Sequence, residues 1–217
     1  MRTAVASTDP APVLGRPLAD LPYTIMDWSG TEPQIEADDD RVLIGRYLED
    51  RTIYTTDAFA TADGERRTVH LGVDLCVPAG HAIHAPLDGV VEAFGDNDAP
   101  LDYGPVIILR HTMPDGLSFF TLYGHLSRAS LEGLRPGARV AAGAPFATVG
   151  ARSENGGWVP HLHLQLLTDL VGLGLDVPGV APRSELAVWA SLSPDPNLLL
   201  RLPEAVSASA DVGAADR

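Results

Sequence analysis

The stretch "WVPHLHLQLLTD", Trp158–Asp169, places His161 and His163 two residues apart inside an otherwise apolar run. On a helix, side chains two apart diverge. On a strand, alternate residues share a face. The strand reading puts His161, His163 and Gln165 on one face and Leu162, Leu164 and Leu166 on the other. The two imidazoles then stand side by side, their Cα atoms about 7 Å apart at roughly 3.3 Å per residue.

The neighbouring sequence repeats the strand signature. "VHLGVDLCV", "GVVEAF", "GPVIILRH", "LSFFTLYGHL", "ARVAAG" and "PFATVG" are short β-forming runs, separated by Gly, Pro, Asp and Asn at regular intervals. Together they predict an all-β fold, mainly antiparallel: a compact, sandwich-like sheet structure rather than alternating β and α units. This β domain is expected over residues 61–170. Residues 1–60 read as a proline-rich, extended arm, with a short helix over "ADDDRVLIGRYLEDR" whose N-terminus would be acidic at Asp38–Asp40. Residues 171–217 read as an extension holding a loop and one helical turn near "SPDPNLLLRL". The small, polar end beyond Pro203 is expected to be disordered.

Composition narrows the function. The chain has 217 residues and a 45% apolar content, enough for one substantial core. A net charge of −14 disfavours nucleic acid, anionic membranes and teichoic-acid-like polymers as partners. All 15 basic residues are arginine. Without lysine there is no Schiff base, no phosphate-loop lysine and no lipoyl or biotinyl carrier site. Cys76 is the lone cysteine, so no intrachain disulfide forms. No apolar run reaches the length of a membrane span. The N-terminus, broken by Pro10, Pro12 and Pro17, lacks a signal-peptide core. As it stands the sequence is expected in the cytoplasm; a place in the cell envelope would need another export route or a longer precursor.

Three histidine-bearing segments carry the chemistry. "HLGVD" holds His70 and Asp74, about 13 Å apart on a straight strand. Gly72 between them permits a bend that brings both onto one ion. "LYGHLS" ends a strand at His125, and the third segment is the HxH pair. Catalytic zinc takes three protein ligands from His, Asp or Glu and keeps a fourth position open. Two histidines and one aspartate meet that need. The remaining imidazoles are then available for acid–base work, and within the HxH pair one ring binds the ion while its neighbour faces substrate.

At this point the order of motifs is informative. "HLGVD", "VPAGHAIHAPLDGVVEAFGDN", "YGPVIILRH", "FTLYGHLS", "LRPGARVAAGAPFATVG" and "PHLHLQL" resemble, in sequence order, the lysostaphin/LytM-type zinc metallopeptidases, over about Val69–Leu167. The resemblance implies Zn2+ held by His70, Asp74 and His163, with His125 and His161 as the acid–base pair. It also implies an endopeptidase that hydrolyses an amide bond in a peptide or in peptidoglycan cross-links. Tyr103, Asn155 and Trp158 are expected along the substrate groove. Two departures stand out. Family members that place a tyrosine just upstream of the first ligand have no counterpart in "TADGERRT", and Tyr54 is distant in sequence. The loop "GARSENGGWVP" carries Trp158 where small residues are usual, which alters one groove wall. The alternative is a catalytically silent LytM-like recognition or regulatory module. Modules of that kind have typically lost zinc ligands, and here all three positions are filled.

Overall fold

The alternation seen in the opening stretch sets the layers of the whole structure. A computed structural model describes residues 5, 7–28 and 41–202. Its strands are β1 (Tyr23–Ile25), β2 (Val42–Gly45), β3 (Arg67–His70), β4 (Val73–Cys76), β5 (Ala82–His84) and β6 (Gly89–Asn97). They continue with β7 (Gly104–Thr112), β8 (Ser118–Gly124), β9 (Arg139–Val140), β10 (Pro145–Thr148), β11 (Leu162–Leu167) and β12 (Val180–Pro182). Eight of them form one sheet in the order β1-β2-β4-β11-β8-β7-β6-β9, while β10 pairs with β5 and β12 with β3. Every named pairing is antiparallel except β1 with β2. The fold is all-β and mainly antiparallel.

One face of the large sheet carries the main core. Ile44, Val73, Leu75, Ile107, Leu109, Tyr123, Leu162 and Leu164 pack there against Ile83 and Ala147 of the small β5–β10 sheet. Leu162 and Leu164 are wholly buried, which stabilises the fold by about 1.5–3 kcal/mol for each side chain. The opposite face bears Asp74, His163 and Gln165, flanked by an apolar cluster that includes Val106, Ile108, Leu122 and Leu167. Parity along each strand therefore separates core from chemistry.

The N-terminal segment departs from the expected arm and helix. Val13, Leu14 and Leu18 are buried in the main core, and β1 and β2 extend the sheet past β4. The helix expected across "ADDDRVLIGRYLEDR" is corrected: Val42–Gly45 is a fully buried strand. Ladder bonds to two neighbours and burial on both faces override a local spacing that also suited a helix. Asp38–Asp40 lie outside the described residues. At the other end, Leu186–Leu192 is a helix and Asn197–Leu200 a single helical turn, while the chain beyond Leu202 lies outside the described residues. No helix among the described residues is long and apolar enough to cross a membrane.

Candidate metal centre

Strand register assembles the site. Within the large sheet, His163 of β11 lies opposite Asp74 of β4 on one side and Gly124 of β8 on the other. Asp74 in turn faces Gly45 of β2. One transverse row thus runs Gly45–Asp74–His163–Gly124, and His125 follows directly after its end. His70 arrives from a different sheet, because the chain breaks at Leu71–Gly72 between β3 and β4. The predicted bend at Gly72 is there, and a side chain would not fit. A Cβ on Gly72 would stand 2.6 Å from His163 Cε1 and 2.7 Å from the Leu164 carbonyl.

The result is a convergence of donor atoms from His70, Asp74 and His163, all within 4.8 Å of one another and all buried. His70 Nε2 lies 3.0 Å from His163 Nδ1. Asp74 Oδ1 lies 3.2 Å from the former and 3.1 Å from the latter. The hydrogen-bond partners fix the tautomers. His70 donates from Nδ1 to the Arg46 carbonyl at 2.9 Å. His163 donates from Nε2 to Gln165 Oε1 at 3.1 Å. Gln165 is oriented for this because its own amide donates to Ser193 Oγ and the Pro178 carbonyl. Each ring has thus spent its proton outward, and two imidazole lone pairs and a carboxylate oxygen face each other with no proton between them. Such an arrangement repels itself unless a cation sits in it. The donor set, two imidazoles and one carboxylate, fits a zinc-type ion, as does the carbonyl or amide acceptor behind each imidazole.

His125 and His161 follow the same logic. His125 Nδ1 donates to the Asn155 carbonyl at 2.9 Å, and His161 Nδ1 to the Val159 carbonyl at 2.7 Å. Each retains a basic Nε2, and their ring centroids are 4.3 Å apart. His161 Nε2 lies 3.8 Å from Asp74 Oδ1, beyond the tight trio. His125 adopts φ 60°, a left-handed conformation uncommon for non-glycine residues and often found at functional positions.

Electrostatics keep these rings neutral. Burial pushes His70 down to about 4, with the nearby Arg51 cation adding to the effect. Burial also lowers His125, reinforced by His161 and His163, and lowers His161. His70 is therefore uncharged at neutral pH, and its approach to Asp74 is a contact between donors rather than an ion pair. Burial alone would raise Asp74, yet its surroundings, with the Arg51 cation 2.6 Å from Oδ2, hold the carboxyl well below its usual range.

Arg51, which the sequence reading did not single out, lies behind Asp74. It donates to Asp74 Oδ2 at 2.6 Å, to Glu49 Oε2 at 3.1 Å and to the Tyr54 hydroxyl at 3.1 Å. Its guanidinium lies 5.0 Å above the Trp28 ring. Arg51 holds one carboxylate oxygen away, so Asp74 presents only Oδ1 to the histidines. Tyr54, too distant in sequence to be placed beforehand, lines the same cavity as His70 and Asp74. That cavity measures about 400 Å³, and Tyr103 and Trp158 are among the residues that line it. Asn155 does not. It is wholly buried, with its amide bonded to the Trp158 carbonyl and its Oδ1 to the Gly157 amide. The groove assignment for Asn155 is corrected: its side chain is spent on folding its own loop, and its carbonyl orients His125.

The sequence model of Peptidase family M23 matches residues 68–172, the segment from β3 to just past β11. Residues 68–172, just under half of the chain, are thus similar to peptidase family M23. Solved structures similar to the chain include a zinc-containing peptidase from Vibrio cholerae, 23% identical over 49% of this chain and 29% of that one, with a TM-score of 0.38. Lysostaphin in solution is 27% identical over 46% of this chain and 37% of its own, with a TM-score of 0.37. The catalytic domain of lysostaphin from Staphylococcus simulans is 22% identical over 56% of this chain and 80% of its own, with a TM-score of 0.38. The chain spans well under half the length of the first two. No curated protein matches it. Arg51, Tyr54 and Trp28 all precede the matched M23 segment, so its sequence signature carries no signal for them.

Proposed function

We propose that the M23-like domain is a zinc-dependent peptidase, with His70, Asp74 and His163 as the metal ligands and a peptide or peptidoglycan-derived amide as substrate. The observation that carries this reading is the trio of inward lone pairs, which the surrounding acceptors leave without a proton. When bound, zinc supplies a Lewis acid that polarises a carbonyl oxygen and acidifies water.

The chain's own residues do the rest. Asn155 and Val159 hold the Nδ1 protons of His125 and His161, so both rings offer Nε2 as a base. With their ordinary proton affinity lowered by burial, neither is already protonated at neutral pH. One takes a proton from the attacking water, and the pair delivers it to the leaving amine. Tyr54 stays protonated, because burial raises its hydroxyl and outweighs the pull of Arg51. Arg51 donates to the Tyr54 oxygen, which leaves the phenolic proton available to a developing oxyanion in the cavity.

The test separates metal binding from chemistry. His163→Ala and Asp74→Ala are expected to lose zinc by elemental analysis. His125→Ala and His161→Ala are expected to keep it while losing at least ~100-fold in turnover. Full zinc occupancy in both ligand variants would refute the ligand set. Zinc-replete protein that cleaves no peptide or wall fragment above the His161→Ala blank would point instead to a silent module.

A further inference from the structure

The walls of the cavity have a consequence for what enters it. The five proposed site residues are scarcely visible from solvent: His70, Asp74, His125, His161 and His163 expose between 1% and 7% of their surface. A groove that passes a continuous polymer over its reacting groups needs two open ends. Here the transverse row is bounded at one end by Arg51 and Trp28 beside Gly45, and at the other by the Tyr103 ring packed on Gly124. In both places a Cβ would meet the bounding side chain at under 3 Å.

A third side is closed by apolar contact. Tyr54, Phe59 and Val180 are buried together, with Ile53, Leu101 and Trp158 packed on them. All six line the cavity. They come from four separate places: the segment before β3, the β6–β7 loop, the loop before β11, and β12. Tyr54 meets Phe59 with ring centroids 4.5 Å apart and meets Trp158 edge-on at 6.1 Å. Segments that would stand apart across an open groove therefore touch.

The remaining wall, around Val177–Val180, is pinned. Tyr103 donates from its hydroxyl to the Val177 carbonyl at 3.1 Å, Gln165 from its amide to Pro178 at 3.2 Å, and Leu71 N–H to Gly179 at 2.9 Å. A wall tied to the side chain behind His163 and to the bend after His70 cannot swing aside without disturbing the site. Most of these walls arise outside residues 68–172, the segment that matches peptidase family M23.

We infer that the cavity is blind and takes a short free peptide, of about two or three residues by its volume, rather than the middle of a long chain. This rests on the peptidase reading and narrows its substrate. The lining suits such a ligand. Its aromatic and aliphatic cluster accepts a small side chain, and Arg67 with Asp102 and Asp176 supplies charges of both signs for the two termini of a zwitterion.

The experiment uses the zinc-loaded full chain and its His125→Ala variant. The probes are alanine and glycine peptides of two to eight residues, with free ends or with acetyl and amide caps. Calorimetric binding to the variant is expected for free di- and tripeptides. Doubly capped octapeptides are expected to bind at least ~10-fold more weakly, since their extra atoms find no space. Trp158→Gly, in the same background, is expected to narrow that gap, and Leu101→Ala serves if that variant does not fold. Octapeptides that bind as well as tripeptides, or no binding at any length, overturn the inference. Internal cleavage of long capped peptides by the unaltered protein would sink it too, while leaving the peptidase reading intact. Short peptides that bind with zinc present but are never hydrolysed would do the reverse.

Discussion

Replacing Arg51 by methionine keeps most of the side-chain bulk and removes the charge. Arg51 is 2% exposed and is the cation shared by two carboxylates, Asp74 and Glu49, which are equally buried. Removing one partner of a buried ion pair costs about 3–5 kcal/mol, because the other charge is left uncompensated. That is a large share of the ~5–15 kcal/mol available to a folded domain. Glu49 keeps a longer contact to Arg46 at 3.5 Å, so Asp74 bears the greater part. A zinc ion would neutralise Asp74 but leave Glu49 unhelped, so more than half of the loss should return on metal loading. Urea unfolding, with chelator and with saturating zinc, reads both quantities. Arg51→Met should lose about 3–5 kcal/mol in chelator and distinctly less in zinc. Adding Glu49→Gln should recover part of the chelator loss. A loss below ~1 kcal/mol in chelator, or an equal loss in both conditions, would refute the charge account and leave packing as the cause.

Two further outcomes follow from the same geometry. Gly72→Ala pushes a methyl group into the His163 ring and the Leu164 carbonyl; displacing a ligand this way should weaken zinc ~10- to 100-fold, read by competition with a chromophoric chelator, and unchanged affinity would contradict the close approach. His70 sits near 4 in the folded state against 6.5 when unperturbed, so between those values the unfolded chain binds the extra proton. Metal-free protein should therefore lose stability as pH falls through that window, by about 3 kcal/mol from this residue at ~1.4 kcal/mol per unit. Denaturation midpoints that stay flat from pH 7 to 4 in chelator would disprove it.

Much of this was legible because β-strands write their two faces into alternate letters. The Leu162–Leu164–Leu166 face and the His161–His163–Gln165 face could be separated before any pairing was known, and Gly72 already signalled a bend. What was illegible depends on which strand lies beside which. Nothing local says that β2 pairs with β4, so Val42–Gly45 resembled a helix, and Arg51 and Tyr54, a short turn away, had no visible reason to approach Asp74. Asn155 misled for a related cause: a polar residue in a groove loop looks like a contact for substrate, while its actual partners are the backbone atoms of its own turn.

The transverse row from Gly45 to Gly124 ties chemistry to assembly. Because side chains alternate strictly, a slip of one residue in β11 against β4 and β8 would bring Leu162 or Leu164 opposite Asp74 and turn both imidazoles toward the core. A misregistered sheet can then be folded, compact and still devoid of the trio. Metal stoichiometry would thus serve as a checksum on strand pairing, counting only those molecules in which β11 has found its correct alignment against β4.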